Sequence, residues 1–156
     1  VSGLSIRLAA LPDLPAVAAL FDAYRQFYEQ PADAGLALQF IGERMSRQES
    51  VILVAQAAGT LVGFCQLYPS FCSVIAQPIC TLYDLYVAPE ARQTGAGRAL
   101  MQAAHAHAQQ NGFARLDLST ARTNHKAQAL YESLGWVRDE VFLYYNKAVP
   151  GAIAPA

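Results

Sequence analysis

Two apolar runs of strand length, Val51–Ala55 and Leu61–Tyr68, stand either side of the turn Ala58-Gly59, and a third, Ile79–Val87, follows turn-like residues 69–77. Short apolar runs bounded by turn residues form strands, and the first two are spaced as a hairpin. Strands this apolar need cover, and the flanking sequence supplies helices. Before them, Leu4–Ala9 alternates like a strand with one buried face, and Pro12-Asp13-Leu14-Pro15 opens a helix. Val17, Leu20, Phe21, Tyr24, Phe27 and Tyr28 form its apolar stripe, and Pro31 stops it. Asp33 starts a second helix carrying Leu36, Phe40, Ile41 and Met45. After the third run, Gly95–Gln110 is an Ala-rich helix closed by Asn111-Gly112, Ala114–Ser119 a strand, Asn124–Ser133 a helix ended by Gly135, and Val141–Tyr145 a last strand. The order is β-α-α-β-β-β-α-β-α-β. The expectation is an α/β (α+β) fold: a mixed sheet with helices on both faces.

A chain of 156 residues, 54% hydrophobic and 15% charged, is long enough for one domain with a real core and too apolar to be disordered. One domain over 1–156 is expected, its core about 4–147 and a frayed tail at 148–156. A net charge of −1 and pI near 6.3 provide no basic field for nucleic acid. No apolar run reaches membrane-spanning length. The opening Val1-Ser2-Gly3-Leu4 has no basic region followed by an apolar stretch, so no secretory leader is expected in it. Three cysteines, Cys65, Cys72 and Cys80, without a C-x-x-C pair read as buried thiols in a reducing cytoplasm. His105 and His107 face differently on one helix, and with His125 they make no metal site.

The chemistry concentrates in Leu82–Met101, where a strand runs into a loop with Gly95 and Gly97 that opens a helix. Amides at a helix start, with the helix dipole, attract anions, and Arg92 and Arg98 add charge. The arrangement suits a pyrophosphate. It is neither a Walker loop, since no Gly-Lys pair occurs, nor a dinucleotide fingerprint, since the third glycine position is Leu100. Gly-x-Gly alone is equally a tight strand-to-helix turn.

Asp84-Leu85-Tyr86-Val87-Ala88-Pro89-Glu90 followed by Arg92-x-x-Gly95-x-Gly97 resembles the acetyl-CoA-binding motif of the GNAT superfamily of N-acetyltransferases. Asn124-His125-Lys126-Ala127-Gln128-Ala129-Leu130-Tyr131-Glu132-Ser133-Leu134-Gly135-Trp136 is similar to a second motif of that superfamily, in the expected order. Ile6-Arg7-Leu8 and Pro12–Pro15 resemble its first strand and helix entry, so the likeness spans about 4–147. Together with Tyr24–Glu29, these segments look like the Hpa branch, which acetylates histone tails and polyamines.

The resemblance implies a mostly antiparallel sheet, acetyl-CoA as co-substrate, no metal, and acetyl transfer to a primary amine by direct attack in a ternary complex. The acceptor would be a small cationic amine such as a polyamine, or a Lys side chain. It further implies that Arg92, Gln93, Thr94, Gly95, Ala96, Gly97 and Arg98 hold the pyrophosphate, and that Leu85, Tyr86 and Val87 pair strand-like with the pantetheine arm. A backbone N–H near Leu85 would polarise the acetyl carbonyl. Asn124 and Tyr131 share a helix face toward the cofactor, and Tyr131 would protonate the leaving thiolate; by periodicity alone it is a core aromatic. The amine needs a base. Asp84 is the first candidate, a structural hydrogen bond the plainer reading; Glu29 is the second, a solvated helix end the plainer reading. Tyr28, Glu29 and Asp84 would meet the acceptor, within an aromatic wall that includes Tyr24 and Phe27. Tyr83 stands where some polyamine-acetylating relatives carry Glu. The Val141–Tyr145 run is either a covered strand or a subunit contact, and a cytoplasmic homodimer is the expected state. The other reading is a non-catalytic acyl-CoA-sensing module of the same fold.

Overall fold

The computed structural model describes residues 3–151. They fall into two compact units that divide after Ser119. In the first unit, β1 (Leu4–Leu8) leads through a short 3-10 turn to α1 (Leu14–Phe27) and α2 (Ala34–Ser46). Then come β2 (Val51–Ala57), β3 (Thr60–Cys72), β4 (Gln77–Val87), α3 (Ala96–Gln110) and β5 (Leu116–Asp117). The sheet runs β1-β2-β3-β4-β5, antiparallel except for the β4–β5 pair.

Local chemistry sets the helix entries. Asp13 accepts from the Ala10 amide at 2.7 Å and is gripped by both terminal nitrogens of the Arg7 guanidinium at 2.7 and 2.9 Å. Arg7 above all, with that amide, holds the Asp13 carboxyl down at about 2 and ties β1 to the start of α1. Asp33 caps α2 by accepting from the Leu36 amide at 3.0 Å.

The alternation of β2, β3 and β4 gives the sheet two covered faces. Ile52, Val54, Phe64 and Tyr86 pack with Val17, Phe21, Ala37 and Ile41 of α1 and α2. The opposite face, with Cys65, packs on Leu100 of α3. There Gly63 is required by close approach: a Cβ would stand 2.9 Å from the Tyr86 carbonyl oxygen and 3.4 Å from Leu100.

The second unit holds α4 (His125–Ser133), with Asn124 as N-cap accepting from the Ala127 amide at 3.2 Å. Gly135 follows with φ +89°, its amide on the Glu132 carbonyl and the Trp136 amide on that of Tyr131. This is a Schellman ending, and the Tyr131 and Trp136 rings meet across it at 6.3 Å.

Two expectations are corrected. Val141–Tyr145 is not a strand: it makes no ladder, and all five residues are exposed. Its first amides are already spent, because the Asp139 carboxylate accepts from Val141 at 2.8 Å and Phe142 at 3.0 Å, a local bond that competes with a ladder. The strand expected over Ala114–Ser119 shrinks to Leu116–Asp117. Cys72, expected buried, is half-exposed, whereas Cys65 and Cys80 are buried. No described helix is long and apolar enough to cross a membrane. Among the described residues no cluster of three His, Cys, Asp or Glu side chains could hold a metal. Of the 148–156 tail, 152–156 lie outside the described residues.

Candidate active site

β4 and β5 pair at only two positions, Cys80 with Leu116 and Thr81 with Asp117. β4 then runs on for six more residues, Leu82–Val87, bonded to β3 on one side and without β5 on the other. A strand edge with unspent backbone groups accepts another extended chain. Leu85, Tyr86 and Val87 all lie on it. Leu85 and Val87 are half-buried and Tyr86 is buried against α1 and α2.

The edge leads through a short 3-10 turn, Pro89–Ala91, to the bend before α3. Gln93 and Gly95 both take left-handed backbone, φ +65° and +89°. Gly95 is the N-cap of α3 and brings no side chain to its first amides, those of Ala96, Gly97 and Arg98. Their helix position leaves these amides without an intrahelical acceptor, which is the makings of an anion site. Gly95 makes the bend affordable, whereas Gln93 holds a conformation that costs a non-glycine residue about 1 kcal/mol. Thr94 turns its hydroxyl inward to the Ala91 carbonyl at 2.5 Å. Arg92 is engaged as well: its Nε donates to the Val87 carbonyl at 3.0 Å, and its guanidinium lies 5.6 and 5.8 Å from the Tyr86 and Phe27 rings. It thereby ties the loop to the end of β4.

On the α1 and α2 side of β4 lies Asp84, only 4% exposed. It stands opposite Gln66 in the β3–β4 register, one residue from a bulge. Gln66 pairs with Asp84 and Leu67 with Leu82, so Tyr83 is the extra residue. Gln66 Nε2 donates to Asp84 Oδ2 at 2.7 Å, and Ser50 Oγ donates to Gln66 Oε1 at 2.7 Å. The Tyr24 hydroxyl donates to the Tyr83 carbonyl at 3.3 Å and lies near enough to Asp84 to favour its charge. Burial outweighs both donors and pushes the Asp84 carboxyl above its ordinary range. Among the described residues Asp84 forms no ion pair. The phenols beside it respond in turn: burial and then Asp84 raise Tyr24, and the same two causes push Tyr68 up to about 12.

Tyr24 meets Tyr28 at 5.1 Å between ring centres, and Tyr68 meets Tyr83 at 5.6 Å. On the sheet Tyr68 and Tyr83 form a second ring pair, and Tyr24 reaches the Tyr83 carbonyl. Sequence reading missed Tyr68 and Gln66, because the register that sets them beside Asp84 depends on a one-residue bulge. Glu29 is exposed at the C-terminal end of α1 with φ +62°, its amide on the Gln26 carbonyl. Asn124 and Tyr131 belong to the second unit, where Asn124 caps α4 and Tyr131 is half-buried against Trp136.

Against known proteins, the profile described as the acetyltransferase (GNAT) family matches residues 16–136. An uncharacterized N-acetyltransferase of Bacillus subtilis, YhfO, is 45% identical over 147 residues, covering 94% of this chain and 99% of the relative. The crystal structure of a probable acetyltransferase aligns with a TM-score of 0.88 at 38% identity, covering 93% and 97% of the two chains. An aminoglycoside N-acetyltransferase in complex with CoA shares the fold, with a TM-score of 0.76 at 21% identity over 94% of this chain and 95% of that one.

Proposed function

Because the chain belongs to the acetyltransferase (GNAT) family, and is an enzyme of the N-acetyltransferase type, we propose that it moves the acetyl group of acetyl-CoA onto a primary amine held beside Asp84. The acceptor class is a small cationic amine or a Lys side chain. The observation that carries this reading is the β4 edge left without β5 over Leu82–Val87, followed through one 3-10 turn by the side-chain-free cap of α3. An extended pantetheine arm suits the first, and a pyrophosphate suits the second.

In this reading Leu85, Tyr86 and Val87 pair with the arm through their backbone. The amides of the 92–98 turn, Gly95, Ala96, Gly97 and Arg98 above all, hold the diphosphate, with Gln93 and Thr94 shaping the bend and Arg92 bracing it. Asn124 and Tyr131 complete the cofactor contacts. An amine of pKa about 10.4 is less than ~0.1% neutral at pH 7, so a proton acceptor is needed. Asp84 fills that role as the carboxylate: it takes one proton from the ammonium, and the freed lone pair attacks the thioester carbon. The oxyanion is met by an amide near Leu85. The C–S bond then breaks, the thiolate takes a proton from the Tyr131 hydroxyl, and the excess proton left on the nitrogen passes through solvent to restore that hydroxyl. Tyr28 and Glu29 border the acceptor. The reading includes one functional domain spanning both units and a cytoplasmic homodimer, supported by the exposed apolar run Val141–Tyr145.

The test is CoA release from acetyl-CoA across polyamines, basic peptides, amino acids and aminoglycosides. At least one class should turn over. Tyr131→Phe should lower kcat by about 10²-fold or more with acetyl-CoA affinity kept. No turnover with any class, or a Tyr131→Phe enzyme as fast as the wild type, contradicts the reading.

A further inference from the structure

Gln66 is a fully buried amide on a sheet face that, apart from Asp84, is made of Ile52, Val54, Phe64 and Tyr86. An apolar side chain would suit that layer better, since a buried amide is costly unless both its ends are bonded. Both ends are bonded here, and to different elements: the NH2 group to Asp84, the carbonyl to Ser50 just before β2. An amide is a donor at one end and an acceptor at the other. Against a carboxylate only the NH2 end is attractive, and Ser50 supplies the donor that the opposite end then requires.

We infer that Gln66 is the positioning residue of the proton acceptor, fixing the Asp84 carboxylate in place and keeping it ionised, with Ser50 completing the amide. This rests on the reading of Asp84 as that acceptor. The titratable groups on the Asp84 side are Tyr24 of α1, with Tyr28 against it, and Tyr68 of β3, and Tyr83 of its own strand acts on both Tyr24 and Tyr68; the Cys65 thiol feels its charge from the opposite face. Arg44 of α2 acts on Tyr68. No lysine, arginine or histidine among the described residues pairs with the carboxylate. Neutral donors therefore carry the compensation of a buried charge, and Gln66 donates to it at 2.7 Å. Without it burial would act with less opposition, and Asp84 would hold its proton to higher pH.

The experiment is a carbon-detected NMR titration of the Asp84 carboxyl in wild type, Gln66→Leu and Ser50→Ala, beside the pH profile of kcat/KM. In Gln66→Leu both the Asp84 midpoint and the acidic limb should move up together by about one to two pH units, the size of a lost hydrogen bond to a charged group. Ser50→Ala should move both in the same direction by less. It also serves where Gln66→Leu fails to fold, because Ser50 lies at the edge of the buried layer. An Asp84 midpoint unmoved in a folded Gln66→Leu protein, or in Ser50→Ala when that is the variant measured, overturns the inference. Asp84→Asn separates the two layers of the argument: wild-type rates in that variant refute the acceptor role, while the carboxyl titration still reports whether Gln66 governs Asp84.

Discussion

At the scale of single residues, Asp84 combines burial, a short bond to a neutral amide and no ion pair among the described residues. Its folded-state pKa is raised above the unfolded value. The folded chain then holds the proton more tightly than the unfolded one, so stability falls as pH rises from the ordinary carboxylate range, about 4, through the raised value. Above that the cost is fully present. Asp84→Asn should therefore unfold at a higher temperature than wild type at pH 7–8, with the difference closing as pH drops below about 4. The same change should cut kcat by about 10²–10⁴-fold. Calorimetry across pH together with CoA release measures both, and a variant less stable at pH 8 than wild type would contradict the account. The residue's place in the strand was readable from sequence, but its burial and its partner were not. Gln66 lies 18 residues away and becomes its neighbour only through the hairpin register.

At the scale of elements, the four α-helices of the described residues end alike, with a left-handed residue just past the C-cap: Glu29, Gln48, Gly112 and Gly135. The amides that follow bond back into the last turn, Gln30 to Arg25, Glu49 to Arg44, Phe113 to Ala108 and Trp136 to Tyr131. The two glycine endings were legible because glycine announces a positive φ. The other two were not, and Pro31 drew attention to a stop that the chain reaches earlier, at Phe27. Gln48→Gly should relieve left-handed strain of about 1 kcal/mol, offset in part by the freer unfolded chain. The expected gain is up to about 2–4 °C in Tm with kcat unchanged. Gly63→Ala should do the reverse, by about 1–3 kcal/mol, because its Cβ meets backbone rather than a side chain that can move. Thermal melts of the two proteins decide, and a Gly63→Ala chain as stable as wild type would show that β3, β4 and α3 are less tightly joined than described.

At the scale of the molecule, the apolar runs were enough to forecast a mixed sheet covered on both faces. They could not forecast that β4 and β5 part after two pairs, since pairing length depends on where β5 stops rather than on how apolar β4 is. The last apolar run misled for a related reason: Val141–Tyr145 has strand composition, but Asp139 takes its first amides. The central claim is that the bare edge of β4 and the amino end of α3 act as one ligand-binding surface. Amide hydrogen exchange with and without acetyl-CoA tests it most directly. Slowed exchange confined to Leu85 and Val87, whose amides face the open edge, and to the amides of Ala96, Gly97 and Arg98, with α2 unchanged, is the predicted result. Saturating acetyl-CoA that leaves those amides as fast as before would contradict it.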